Sequence, residues 1–222
     1  MEAHQVIQAS SVTGELLPGA DLPIEEQLIQ AGYVYVYGVD EAGRGPLAGP
    51  VVAAAVLYRP CEALKLACDS KAISATIREE RFVQITSDFI YGVGIGSVDE
   101  IDAVNILQAS MLAWRRAVQQ ILQQAPSIVL VDGNYPLPGD TPSRAIIGGD
   151  ARVAVIGAAS IIAKVTRDRM MAQYHEQYPQ YGFAHHMGYP TTEHRRILKE
   201  VGPCPIHRKT FHGVREFYPS GD

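Results

Sequence analysis

Cysteine is scarce in this 222-residue chain: Cys61, Cys68 and Cys204 are odd in number and form no Cys-x-x-Cys pair. That pattern argues against a disulfide framework and a zinc knuckle, and it fits a reducing compartment. Long hydrophobic runs are missing as well. Charges or glycines interrupt every apolar stretch before the roughly 18 residues a membrane span needs, so no membrane association is expected. The N-terminal stretch MEAHQVIQASSVTGELLPGADLPIEEQ has neither the basic start nor the apolar centre of a secretory signal. A cytoplasmic protein is the expectation, with monomer as the default state. Positive charge is not in excess either: 19 Lys and Arg against 24 Asp and Glu leave a net charge of −5. Bulk charge therefore does not announce a nucleic-acid binder, although an acidic metal site beside a local basic patch would hide inside such a balance. No internal repeat and no low-complexity tract occurs.

What is present is an alternation of strand and helix patterns from residue 33 to about 175, the signature of one α/β domain. PIEEQLIQAGY predicts a short helix, with Pro23 near its start and Gly32 near its stop. YVYVYGVD and GPVVAAAVLY predict two strands joined by a tight Gly/Pro turn at 43–50. SATIREERFVQITSDF predicts an amphipathic helix, and YGVGIGSV a strand weakened by glycine. Apolar residues at 101, 104, 107, 111, 114, 118 and 121 predict one helix over 99–123. SIVLVDG and RAIIGGD predict further short strands, and ARVAVIGAASIIAKVTRDRMMAQYHEQY a long Ala-rich helix. TTEHRRILKEVG predicts a helix with a Thr cap and a Gly stop, followed by a basic, aromatic tail.

Three predicted strand ends carry acid: Asp40 and Glu41, then Asp132, then Asp150. Functional groups of an open α/β sheet collect outside the carboxyl ends of its strands, so these acids are placed to converge. Crowded carboxylates repel and raise one another's pKa, a penalty that divalent cations remove. Oxygen donors without imidazole or thiolate favour Mg²⁺ or Mn²⁺ over Zn²⁺, and two such ions form the usual clamp for attack on a phosphodiester. Plain alternatives stand beside this reading. Asp132-Gly133-Asn134 is a common turn sequence. Asp150 has the position of a helix N-cap. Asp40 and Glu41, as neighbours on a strand, would face opposite ways unless the chain bends.

GVDEAGRGPLAGPVVAAAV resembles the N-terminal signature of the type 2 ribonucleases H, the ribonuclease HII family. CDSK, DEIDAVNILQASMLAWRRAV, VLVDGN, GGDARVAVIGAASIIAKVTRDR, YPQYGFAHHMGYPTTEH and GPCPIHRKTF resemble its later segments in order, from about residue 25 to 218. The resemblance implies a ribonuclease H-like fold, a central mixed β-sheet flanked by helices. It implies a catalytic domain over 25–180 and a helical C-terminal annex over 181–222; residues 1–24, polar, weakly patterned and outside the resemblance, are expected to be a flexible extension. It also implies an endonuclease that cuts the RNA strand of RNA–DNA hybrids and nicks 5′ of single ribonucleotides in duplex DNA, leaving a 5′-phosphate and a 3′-hydroxyl. The family's acidic quartet maps onto Asp40, Glu41, Asp132 and Asp150, holding two Mg²⁺ or Mn²⁺ ions.

Gly43-Arg44-Gly45 and Tyr189 are implied to read the ribonucleotide–deoxyribonucleotide junction. Phosphate contacts are expected from Arg44, Ser70, Lys71, Ser160 and Lys164, helped by Arg195, Arg196, Arg208 and Lys209. Asp168 is expected to pair with a neighbouring Arg, and the C-terminal histidines to be surface or groove residues. Two positions depart from the family pattern, Ala72 and Met187, where a Lys is usual; weaker or more salt-sensitive binding is the expectation. The replication sliding clamp is a weakly supported partner. Three other readings compete. One is ribonuclease HIII, whose larger N-terminal domain has no counterpart in the first 25 to 30 residues. Another is a dinucleotide-binding oxidoreductase, prompted by GVGIGS at 92–97, but Gly92, Gly94 and Gly96 alternate within a strand and do not form the GxGxxG turn into a helix. The third is a catalytically dead hybrid-binding protein, against which the intact acidic quartet argues.

Overall fold

The computed structural model describes residues 22–60 and 73–218. Ser70, Lys71 and Ala72 lie outside the described residues. Helix α1 (Ile24–Gln30) leads into strands β1 (Tyr35–Ala42) and β2 (Val51–Leu57). Helix α2 (Ala75–Asp88) starts at a Ser74 cap whose hydroxyl accepts the Ile77 amide. There follow β3 (Tyr91–Gly96), α3 (Val98–Val104), α4 (Ile106–Gln119), β4 (Ser127–Asp132), β5 (Ser143–Ile146) and α5 (Ala154–Gln177). The C-terminal part holds α6 (Phe183–His186) and α7 (Thr192–Val201), with single 3₁₀ turns at Gly149–Ala151, Pro179–Tyr181 and Arg215–Phe217.

The strands form one mixed sheet in the order β3-β2-β1-β4-β5. β2 runs antiparallel to β1 and β3, whereas β4 runs parallel to β1 and β5. All seven residues of β2 are buried because helices cover both faces. On one face α5 packs against Val36, Ala54, Val56 and Leu130. On the other α4 packs against Tyr37, Val39, Ala53, Ala55, Val129 and Val131. Each fully buried Val, Ile or Leu of this sandwich contributes about 1.5–3 kcal/mol of transfer free energy.

The single helix expected over 99–123 is two helices. Asn105, at φ 73°, ends α3, and its carboxamide oxygen accepts the Leu107 and Gln108 amides to cap α4. An Asn tolerates this left-handed conformation better than most residues. The break rotates the buried stripe onto Ala109, Ala113, Trp114, Ala117 and Val118, and leaves Val104 exposed. The small residues meet the glycines of β3: a Cβ on Gly94 would lie 2.0 Å from the Ala113 carbonyl oxygen. The α4 backbone thus rests directly on the strand. This packing accounts for GVGIG and removes the dinucleotide-loop reading.

Helix α5 is buried along nearly all of its first half, from Val155 to Ala163. Its cap residue is Val153, so Asp150 is not the N-cap but belongs to the preceding 3₁₀ turn. No side chain of its own satisfies the first turn. The buried carboxylate of Glu25, from α1, accepts the Val155 amide at 3.1 Å instead. Burial raises the Glu25 pKa, against the lowering effect of these amides.

A third apolar cluster joins the loop after β1 (Leu47, Ala48) to Met171 of α5 and to Tyr181, Phe183, Ile197, Leu198, Cys204, Ile206 and Val214. The segment between β1 and β2 is therefore no tight turn. It is a loop spanning 43–50, locked under the C-terminal part of the chain, with Ala48 bridged to His207. Among the described residues, no helix is long and apolar enough to cross a membrane.

Candidate active site

Parallel pairing of β1 with β4, with Val39 opposite Val131, brings Asp40 and Asp132 to the same end of the sheet. The chain does not bend at the acids. Asp40 and Glu41 stay in register with Ala54 and Ala53 of β2 and point to opposite faces, as an extended strand requires. Asp40 lies on the α5 side, within hydrogen-bonding reach of Ser160. Glu41 lies on the α4 side, where its carboxylate accepts the Trp114 indole N–H at 2.8 Å and pairs with Arg44 at 3.3 Å. The bend comes later, at Gly43 (φ 100°). Both acids still reach one cleft of about 310 Å³ at the sheet end. It is lined by Asp40, Glu41 and Asp132 with Gly43, Arg44, Gly45, Arg78, Ser160, Lys164 and Tyr189.

Asp150 is the fourth acid. It is buried in the 3₁₀ turn beside this cleft rather than in its lining. Asp132 Oδ1 accepts the Gly149 amide at 2.7 Å and lies 3.4 Å from the Asp150 amide, which ties the turn to the end of β4. Among the described residues no three acidic, histidine or cysteine side chains are already gathered into a metal cage. The electrostatics nevertheless suit a cation. Burial, then repulsion from Glu41 and Asp132, drives the Asp40 pKa well above the usual carboxylate range. Burial also raises Glu41, partly offset by Trp114 and Arg44. An all-oxygen donor set that resists its own ionisation fits a hard divalent ion such as Mg²⁺ or Mn²⁺.

The loop that follows is held by two buried arginines that sequence reasoning misplaced or missed. Arg208, expected at a phosphate, is fully buried and donates to the carbonyls of Gly49 (2.9 Å), Arg44 (2.9 Å) and Gly43 (2.5 Å). Arg167 is 1% exposed and donates to Pro50, Met187 and Ala48, each at 3.0 Å. Gly43 is required here: its positive φ is strained for other residues, and a Cβ would sit 2.1 Å from Arg167 Nε. Burial, and for Arg208 also the neighbouring Arg167, pulls both pKa values down, that of Arg208 to about 9. Arg167 had a signal in the sequence, since it continues the buried stripe Ser160, Ala163 and Met171 of α5. Arg208, in an irregular tail, had none.

The remaining assignments divide. Lys164 lines the cleft but is paired with Asp168 at 2.7 Å, so Asp168 takes a lysine and not an arginine as its partner. Tyr189 is 42% exposed with its ring near Gly45. Arg195 donates to the Pro190 carbonyl, Arg196 pairs with Glu200, and Lys209 lies over the Tyr218 ring. Arg78, which was not singled out beforehand, is a further cation in the cleft lining. Three of the histidines read as surface groups, His186, His194 and His207, are buried instead. Burial lowers His194 and His207 to about 4, so both rings are neutral at pH 7. Burial also lifts the Cys204 thiol to about 11, which leaves it inert as a nucleophile.

Known proteins resemble this chain in both sequence and fold. The family model described as Ribonuclease HII matches residues 37–214. A ribonuclease HII of Syntrophotalea carbinolica is 49% identical over 207 residues, covering 91% of this chain and 99% of that protein. One of Parvibaculum lavamentivorans is 51% identical over 207 residues, 93% of this chain and 76% of that one. Among solved structures, ribonuclease H2 of Pyrococcus horikoshii superposes with a TM-score of 0.66 at 29% identity, over 83% of this chain and 97% of that one. Ribonuclease HII of Archaeoglobus fulgidus, solved in complex with PCNA, superposes with a TM-score of 0.70 at 26% identity, over 80% of this chain and 95% of that one. The chain belongs to the ribonuclease HII family and is a hydrolytic endoribonuclease of the ribonuclease H type.

Proposed function

We propose that this enzyme nicks duplex DNA on the 5′ side of an embedded ribonucleotide, and cuts the RNA strand of RNA–DNA hybrids, with Asp40, Glu41, Asp132 and Asp150 as its catalytic acids. Residues 25–180 then form the catalytic unit and 181–222 an annex that shapes the nucleic-acid side. The observation that carries the reading is the cleft itself. It joins Asp40, Glu41 and Asp132 to Gly43-Arg44-Gly45, Ser160, Lys164 and Tyr189.

The acids would hold two Mg²⁺ or Mn²⁺ ions, which when bound supply an activated water and charge stabilisation for the departing 3′-oxygen. The protein's own groups do the rest. Arg44 and Lys164, on either side of the acids, steer the phosphates and fix the register of the strand. Gly45 is exposed, and a Cβ there would meet only ordinary contact with the Tyr189 ring at 3.7 Å. The fold does not demand glycine at 45, which supports reserving that space for a sugar. Tyr189 then stacks beside it, and main-chain groups of the loop meet the 2′-hydroxyl, the donor and acceptor that distinguishes RNA from DNA. Clamp binding is a weaker extension that rests on the Archaeoglobus fulgidus complex with PCNA.

The test is a DNA duplex containing one ribonucleotide, offered with Mg²⁺ or Mn²⁺. A single nick 5′ of the ribonucleotide is expected, leaving 5′-phosphate and 3′-hydroxyl ends and abolished by EDTA. Asp40→Asn and Asp132→Asn should fold and not cut. Cutting that survives either substitution, or EDTA, refutes the metal-site assignment.

A further inference from the structure

Tyr189 presents an exposed ring from a backbone that is pinned at successive peptide groups. Arg167 donates to the Met187 carbonyl at 3.0 Å. The Gly188 amide donates to His186 Nδ1 at 3.2 Å, and the Gly188 carbonyl accepts the Leu47 amide at 2.8 Å. The Tyr189 carbonyl lies 2.9 Å from His194 Nδ1.

From there a line of buried polar groups runs inward. His194 Nε2 is 3.0 Å from His207 Nε2, and His207 Nδ1 is 2.9 Å from the Cys204 amide and 3.1 Å from its sulfur. The partners fix the tautomers. A carbonyl only accepts, so His194 carries its proton on Nδ1 and leaves Nε2 bare. His207 must then donate from Nε2, which leaves its Nδ1 to accept from the Cys204 N–H. Both rings are fully buried, and each nitrogen named has a partner. Stacking of His186 on His194, at 4.4 Å between centroids, and the edge of Phe183 against His194 leave the rings little room to turn.

We propose that His194 and His207 form a neutral hydrogen-bond relay that positions Tyr189 for recognition of the ribonucleotide junction. This rests on the role given to Tyr189 in the proposed function. Neither histidine touches substrate. Both act through the Tyr189 main chain, so their loss should change substrate choice and not only stability.

The measurement is a selectivity ratio: kcat/KM on duplex DNA with one ribonucleotide, divided by kcat/KM on a uniform RNA–DNA hybrid. His194→Asn keeps an N–H donor near the Nδ1 position but loses the bond to His207, so its ratio should fall about as far as that of His207→Phe and less than that of His194→Gln. His194→Gln moves its amide out to the Nε2 position and loses that donor. Its ratio should fall about tenfold, the fold-change equivalent of one buried hydrogen bond. His207→Phe, which fills the same space without a donor, should fall in the same direction, whereas His207→Gln, with its amide at Nε2, should not. Combining His194→Gln with Tyr189→Ala should lower the ratio no further than Tyr189→Ala alone.

Equal ratios for folded His194→Asn and His194→Gln would overturn the relay, as would additive effects in the double variant. If His194→Gln does not fold, the His207 pair decides by the same criterion. A ratio unchanged by Tyr189→Ala would instead sink the role of Tyr189 itself, whatever the histidines do.

Discussion

At the carboxyl end of β1, burial and then neighbouring acids push the Asp40 pKa up; immediately beyond it, burial pulls the pKa values of two sealed guanidiniums down, but every hydrogen bond they donate goes to the main chain. The contrast lies in how much compensation each cluster finds. Arg167 and Arg208 find six main-chain carbonyls within the fold, so their burial is compensated locally, as a buried charge requires. Asp40 has Ser160 and the Glu41 amide against burial and two neighbouring acids. The fold gives Asp40 less compensation than it gives the arginines, which separates the scaffold of the 43–50 loop from an acidic cleft whose electrostatics suit a cation.

The largest expected effect is on the satisfied side. Arg208→Met removes the donor to Gly43, Arg44 and Gly49 while roughly keeping the side-chain volume. The three orphaned carbonyls should cost about 3–5 kcal/mol together, since each buried acceptor left unsatisfied costs about 1–3 kcal/mol. Urea unfolding monitored by circular dichroism reads this directly. A loss below about 1 kcal/mol would break the comparison, because the loop would then hold itself.

The histidine relay gives a pH version of the same test. His194 and His207 are neutral in the folded chain down to about pH 4, whereas an unfolded histidine takes up its proton near 6.5. The unfolded state therefore binds more protons in that window, and stability falls as pH drops from about 6.5 to 4. Each ring contributes on the order of 3 kcal/mol across the interval. His207→Gln has no proton to take up. Its stability deficit relative to wild type should shrink steadily over this range, and a constant deficit would show that the ring is not held neutral.

Much of this was legible in the sequence, and the misses have physical causes. Strand order cannot be read from residues, but the strands themselves, the Ser74 and Thr191 caps and the Gly202 stop follow from local chemistry. The break at Asn105 was hidden because apolar spacing runs through it, while a capping carboxamide leaves no periodic trace. Glu25 capping α5 from 130 positions away is invisible to any local rule. At the candidate site, the convergence of Asp40, Glu41 and Asp132 on one cleft was legible because strand ends advertise acids. The buried pair Arg167 and Arg208 was not, because a buried arginine and a phosphate-binding arginine are the same letter. His194 did leave a hint, three and four positions before the buried Ile197 and Leu198 on α7.

The smallest effect has the opposite sign and divides the two clusters most sharply. Asp40 binds its proton more tightly folded than unfolded, so its ionisation opposes folding above the raised pKa, and the penalty is relieved as pH falls toward 3.8. Asp40→Asn removes the charge and its repulsion with Glu41 and Asp132. It should therefore raise stability by about 1–2 kcal/mol near neutral pH, a gain that fades on acidification, even as cleavage is lost. Millimolar Mg²⁺ or Mn²⁺ should raise the Tm of the wild type and leave the variant nearly unmoved, since a ligand stabilises only the state it binds. An Asp40→Asn protein less stable than wild type without metal would mean that the carboxylate was satisfied inside the fold, like the arginines beside it, and that the cleft has no call for a cation.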